Sequence, residues 1–196
     1  MKLMPLAAAL LGALPVHAAE VTWRADDLRR LEQLDAASGQ ALREAFAKGA
    51  PADVADLVEA LRGPADNSGA EALAGDWTCR TFKLGGDLGL VAYPPFKCRG
   101  TPAEDGVMFE KLTGSQRVRG LVQRGPDGAL LLAGVGYIAG DTPPEYGALP
   151  AEIDPAASPQ ILAAPGVVEV TGGGSARILF PLPMVESTLD ILQLSR

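Results

Sequence analysis

Between Asp26 and Phe46 the apolar residues Leu28, Leu31, Leu34, Ala41, Leu42, Ala45 and Phe46 return at three- and four-residue steps, with Asp, Glu and Arg opposite. That spacing predicts one helix with a single buried face. Asp26 is placed to cap its start and Gly49 to end it. A second, shorter helix follows, with Pro51 near its first turn, Val54, Leu57, Val58 and Leu61 on one face, and Gly63-Pro64 as its stop. Residues 64–74 read as a linker. From Gly75 the period drops to two, predicting strands over 76–84, 90–99, 107–112, 116–124, 129–138, 167–171, 176–180 and 188–194. Gly85-Gly86, Gly125-Pro126-Asp127-Gly128 and Gly172-Gly173-Gly174 supply tight turns, whereas 141–165, rich in Pro and Ala, reads as one long loop. The expected fold is therefore α+β: an N-terminal helical segment followed by an antiparallel β-barrel of about eight strands, with a β-sandwich as the alternative. A barrel is favoured because closure removes exposed strand edges, and one of this size holds either packed side chains or one small ligand.

Composition sharpens this picture at one end of the chain. With 47% hydrophobic and 21% charged residues in 196, the protein has the makings of a packed core rather than a disordered chain. Met1-Lys2, the apolar run over 3–16 and the small residues around Val16-His17-Ala18 have the form of a secretory signal peptide over 1–18, cleaved after Ala18. The run is too short to span a bilayer, and no cysteine follows the cleavage site to take a lipid. The expected layout is signal peptide 1–18, helical segment and linker 19–74, and barrel 75–196, in a periplasmic or secreted protein without a membrane span.

The sole histidine is His17, inside the segment expected to be removed. Serine–histidine and cysteine–histidine catalysis and histidine-ligated metal are thereby excluded from the mature chain. Cys79 and Cys98 are the only cysteines, and an even count in an oxidising compartment predicts a disulfide in place of a metal or redox site.

Charge falls into three blocks. Residues 19–74 carry 6 basic and 11 acidic side chains, residues 75–125 carry 8 and 5, and residues 126–196 carry 2 and 8. In the basic block Arg80, Lys83, Lys97, Arg99, Lys111, Arg117, Arg119 and Arg124 alternate with apolar residues. Alternation of this kind predicts the solvated face of neighbouring strands, paired with the acidic blocks, and leaves an anion-binding surface as the sharper reading. The acidic total, few aromatics and expected export argue against nucleic acid.

Individual motifs narrow the chemistry. Gly134-Val135-Gly136-Tyr137-Ile138-Ala139 matches the loose dinucleotide-loop pattern, but Asp141-Thr142-Pro143-Pro144 prevents the helix such a loop needs behind it, so a strand end is expected. Glu186 and Asp190 are the best carboxylate pair; on a strand they would stand about 13 Å apart, too far for glycosidase chemistry, whereas on a helix they would be neighbours. Ser187 between them has no evident base. Glu110-Lys111 and Ser115-Gln116-Arg117 surround a Thr113-Gly114 turn that either orients a polar ligand or is a hairpin stabilised locally. Trp77 is placed to plug one end of the barrel.

Four segments, Trp77-Thr78-Cys79-Arg80-Thr81-Phe82-Lys83-Leu84-Gly85, Tyr93-Pro94-Pro95-Phe96-Lys97-Cys98-Arg99, Glu110-Lys111-Leu112-Thr113-Gly114-Ser115-Gln116-Arg117 and Glu186-Ser187-Thr188-Leu189-Asp190, together resemble a family of secreted bacterial proteins known as domain of unknown function four-eight-nine-three. The resemblance implies an exported protein of similar layout with paired cysteines, and brings no activity with it. Gly75-Asp76-Trp77 also looks like the Gly-x-Trp opening of lipocalin-type barrels, and a small barrel with one early disulfide is similar to secreted metalloprotease inhibitors.

These readings converge on a non-enzymatic binding or accessory protein holding a small polar or anionic ligand at one barrel mouth. The candidate site is Arg80, Lys83, Arg99, Glu110, Gln116, Arg117 and Tyr137, with no catalytic residue, cofactor or metal. The alternatives are a structural or protein-partner module of the envelope, protease-inhibitor-like roles included, and an enzyme working without histidine. The expected partner is a small molecule or an envelope protein.

Overall fold

A computed structural model of the protein describes residues 21–66 and 68–196; the leader expected over 1–18, with His17, lies outside them. Among the described residues nine strands follow one another: β1 (Gly75–Leu84), β2 (Leu90–Ala92), β3 (Phe96–Ala103), β4 (Gly106–Lys111), β5 (Gln116–Arg124), β6 (Leu130–Ile138), β7 (Ile161–Gly172), β8 (Ser175–Pro181) and β9 (Leu189–Ser195). From β3 to β9 each pairs antiparallel with the next. The sheet then closes, because β9 returns to β1 over the register Thr78↔Ser195 to Leu84↔Leu189. On its other edge β1 meets β3 along Gly75–Cys79 and β2 along Phe82–Leu84, so β2 and β3 share one position and the barrel has eight. The sandwich alternative is thereby set aside.

Two strands differ from expectation for local reasons. The strand expected over 90–99 is split at Tyr93-Pro94-Pro95, where two residues without N–H groups cannot extend the ladder. β7 begins at Ile161 rather than 167, because the low-propensity stretch Ala163-Ala164-Pro165-Gly166 is paired residue by residue with β6, from Tyr137↔Ile161 to Leu132↔Gly166.

Alternation sorts the wall into two faces. Inward, Phe109, Val122, Leu132, Ile178 and Leu194 pack with Trp77 and the Cys79–Cys98 disulfide into the lower core. A 3-10 turn, Ala70–Leu73, closes the floor: the Trp77 indole N–H donates to the Leu73 carbonyl at 2.8 Å. Gly100 makes this close approach possible, since a Cβ there would lie 2.1 Å from the Leu73 oxygen.

Outward, Phe82, Leu84, Leu189 and Ile191 are buried under helices α2 (Leu34–Lys48) and α3 (Pro51–Ala60), which present Ala41, Ala45 and Leu57. The single helix expected from Asp26 is broken at Gln33 into α1 (Ala25–Glu32) and α2. α1 lies chiefly against β7 while α2 lies against β1, β8 and β9, so the break lets each follow a curved wall. Asp26 does not cap α1; Arg24 occupies that position and Asp26 pairs with Arg29 within the first turn. Over β6, Trp23 and Tyr146 meet edge to face with ring centroids 5.4 Å apart, so the loop between β6 and β7 covers the wall.

Candidate functional site

Above the apolar core the inward positions change character. Thr81 and Lys83 from β1, Lys111 from β4, Gln116 and Val118 from β5, Phe180 from β8 and Asp190 and Leu192 from β9 surround a cavity of about 130 Å³. Gly136, Ile138, Leu162 and Ala164 complete its wall, and Pro183, Met184 and Val185 of the β8–β9 loop form its roof. A second recess of about 50 Å³ shares Thr81, Lys83, Lys111 and Gln116 and is bounded by Tyr93 and Phe96.

The ionisable groups in this wall are held by specific partners. Lys83, its side chain only 5% exposed, pairs with the carboxylate of Glu186, which descends from the roof. Glu186 also accepts a long bond from the Gln116 amide at 3.4 Å, and the Lys83 partnership holds its carboxyl below the usual range. Lys111 donates to the Gln116 carbonyl at 2.8 Å and lies 3.9 Å from the centre of the Phe96 ring. Burial, with the like charges of Lys83 and Arg117, pushes Lys111 down to about 8. Asp190 accepts from the Ser187 hydroxyl at 2.6 Å, and burial pushes its carboxyl up to about 6 against the attraction of Lys83. Two residues of the roof loop, Leu182 (φ 48°) and Glu186 (φ 73°), sit in the left-handed region that non-glycine residues rarely adopt.

The seam between β7 and β8 is open at the mouth. Their ladder stops at Val167↔Leu179, although β7 reaches back to Ile161 and β8 on to Pro181. Pro165 and Pro181, without N–H groups, stand where it fails. Arg30 of α1 supplies the missing donors: its guanidinium bonds the carbonyls of Ala163 (3.1 Å) and Pro181 (3.3 Å) and lines the cavity. Asp27, almost fully buried, holds it at 3.1 Å and accepts in turn from the Tyr146 hydroxyl at 2.6 Å. Burial lowers the affinity of Arg30 for its proton and raises that of the Tyr146 hydroxyl.

Of the residues expected at the mouth, Lys83 and Gln116 are on the inner wall, and Arg117 and Tyr137 contribute to the cavity lining from the outward register of β5 and β6. Glu110 is beside them, accepting from the Tyr137 hydroxyl at 2.9 Å, while Arg117 donates to the Gly114 carbonyl at 3.3 Å. Arg80 and Arg99 are not part of the site. Each follows or precedes its neighbour on the opposite face: Arg80 comes after the inward Cys79 and turns out to Asp56 at 2.7 Å, and Arg99 comes after Cys98 and pairs with Asp76 at 2.6 Å at the floor end.

The basic block is not uniformly solvated either, since Lys83 and Lys111 point inward and are buried. The site expected from the sequence left out Lys111 and Asp190, each weighed there only within a motif, and also Arg30. The signal for the first two was strand parity: Lys111 shares a face with Val107 and Phe109, and Asp190 with Leu192 and Leu194. Nothing local marks Arg30, because its partners are 133 and 151 residues away. Gly134 to Ile138 continue β6, as the strand reading requires, and the segment around Thr113-Gly114 is the β4–β5 turn.

Fold and cavity together define a closed antiparallel barrel with a roofed, charged mouth. The chain belongs to the family described as Domain of unknown function (DUF4893), whose model matches residues 20–194. No curated protein and no solved structure gives a significant match. No helix among the described residues is long and apolar enough to cross a membrane.

Proposed function

We propose that the protein is an exported binding or accessory protein that holds a small polar or anionic molecule in the mouth of its barrel. The observation that carries this reading is the cavity, whose apolar walls enclose two buried ammonium groups and a buried carboxyl at one end. Space left open beside desolvated charges is costly to maintain in a barrel that packs its lower half fully, and a ligand with complementary charge offsets that cost. The leader-like residues 1–18 and the paired cysteines support a place outside the cytoplasm. No reaction is part of this proposal.

The test is thermal unfolding of the oxidised protein against a panel of small anions and neutral polar molecules. Binding to the folded state raises the melting temperature with ligand concentration. A rise of roughly several degrees is expected for at least one anion, and Gly136→Val should abolish it. A Cβ at Gly136 first meets Leu162 at 3.6 Å, so the added side chain enters the cavity without striking the backbone. A flat response across the panel would overturn the reading and turn attention to Phe46 and Val58, which α2 and α3 leave 56% and 47% exposed, as contacts for an envelope protein.

A further inference from the structure

We propose that Glu186 is a built-in stand-in for the ligand: its carboxylate occupies the place on Lys83 that the carboxylate of a short-chain monocarboxylic acid takes, and the loop 182–188 lifts as the two exchange. This rests on the ligand-binding reading above and names the ligand class and the gate.

The two partners of this ion pair are unequal. Lys83 belongs to the barrel wall and is withdrawn from water, whereas Glu186 belongs to a loop and is 44% exposed. A buried ammonium must keep an anionic partner, but a half-exposed carboxylate returns to water at little cost. The loop is tied to the barrel by backbone bonds at its ends, Leu182 N–H to the Thr188 carbonyl at 2.9 Å and Thr188 N–H to the Leu84 carbonyl at 2.8 Å. Between them, its one internal backbone bond runs from Ser187 to Val185. Glu186 therefore reaches Lys83 from a tip whose other ties are the Ser187 hydroxyl on Asp190, the long Gln116 bond and the apolar contacts of Met184 and Val185 over the cavity, and it does so with a left-handed backbone. Release of Glu186 relieves that conformation.

Charge and size then choose the replacement. With Glu186 withdrawn, Lys83 and Lys111 face the single carboxyl of Asp190, which favours an anion over an amine. Behind them Val118, Ile138, Leu162, Phe180 and Leu192 give the cavity a largely apolar wall, which suits a hydrocarbon chain for the rest of the molecule. The volume of about 130 Å³ is close to that of a dry cavity able to admit benzene, which sets the chain at roughly four to six carbons.

Calorimetric titration of the oxidised protein with hexanoate, hexanol and hexylamine tests this, with Glu186→Gln and Lys83→Met as variants. Hexanoate is expected to bind and hexylamine not to. Glu186→Gln should tighten hexanoate about tenfold, the order of one charge-assisted contact no longer competing. Lys83→Met should lose hexanoate while still admitting hexanol, and amide hydrogen exchange at 184–187 should quicken in Glu186→Gln and in the hexanoate complex. Hexanoate binding that Glu186→Gln leaves unchanged or weakens would overturn the exchange and leave the binding reading standing. Binding of hexanol or hexylamine without hexanoate would overturn the carboxylate class alone. Failure of all three on wild type and on Glu186→Gln would overturn this inference, while the broader reading would still stand or fall by its own panel.

Discussion

Lys83, Lys111 and Asp190 are ionisable groups set into the inner wall, and for Lys111 and Asp190 the cost of burial shows in their proton affinities. Asp190 is held up at about 6, so between its ordinary value of 3.8 and about 6 the folded protein keeps a proton that the unfolded chain has lost. Its contribution to stability is full below that window and fades as pH rises through it. Melting temperature should therefore fall between about pH 4 and 6 in the wild type relative to Asp190→Asn, measured in parallel thermal scans. Lys111 has the opposite sign. Its folded value of about 8 lies below its ordinary 10.5, so the unfolded state binds more protons between the two and stability should rise over that range, an increment that Lys111→Met removes. The inward direction of both lysines was open to reading from strand parity with Trp77 and Phe109. Their depth was not, because burial depends on what the loop 182–188 places above them.

At the scale of elements, α1 does more than cover the wall. Where Pro165 and Pro181 interrupt the β7–β8 seam, Arg30 completes it from outside, with Asp27 and Tyr146 holding the guanidinium. Arg30→Met leaves buried Asp27 with Arg24, at 3.8 Å, as its remaining cation, and loss of the closer buried partner costs up to about 3 kcal/mol. The expected outcome is a matching drop in unfolding free energy in urea, together with faster hydrogen exchange at the mouth end of β7. The disulfide acts on the opposite flank, tying β1 to β3 across a sequence separation of 19. Its removal by the double substitution Cys79→Ser, Cys98→Ser should lower the melting temperature by roughly 10 °C, following a loop-closure contribution of about 3 kcal/mol. The bridge was legible in the cysteine count. The seam was not, since proline marks a weak ladder but not the side chain that repairs it.

The whole molecule depends on its N-terminal helices because closure leaves the barrel with two apolar faces. Phe82, Leu84, Leu189 and Ile191 point outward and are buried only by α2 and α3. A chain beginning at residue 70 retains every strand but exposes that surface, so it should lose its cooperative thermal transition and aggregate where the full protein stays monodisperse in light scattering. The covering helices in turn leave Phe46 and Val58 exposed.

The change of hydrophobic period at Gly75, the turn glycines, the paired cysteines and the tryptophan plug are local properties, and the sequence by itself determined them. With them came the α+β order and most strand boundaries, including the limits of β5 at Gln116 and Arg124. Only the tertiary structure decided that β9 closes onto β1, that the first helix breaks at Gln33, and that Lys83, Lys111, Asp190 and Glu186 share one end of the barrel while Arg80 and Arg99 do not. The physical reason is that periodicity records how often a side chain returns to a face. Which face becomes the interior, and which residues meet across it, is settled by strand register and closure between segments a hundred residues apart.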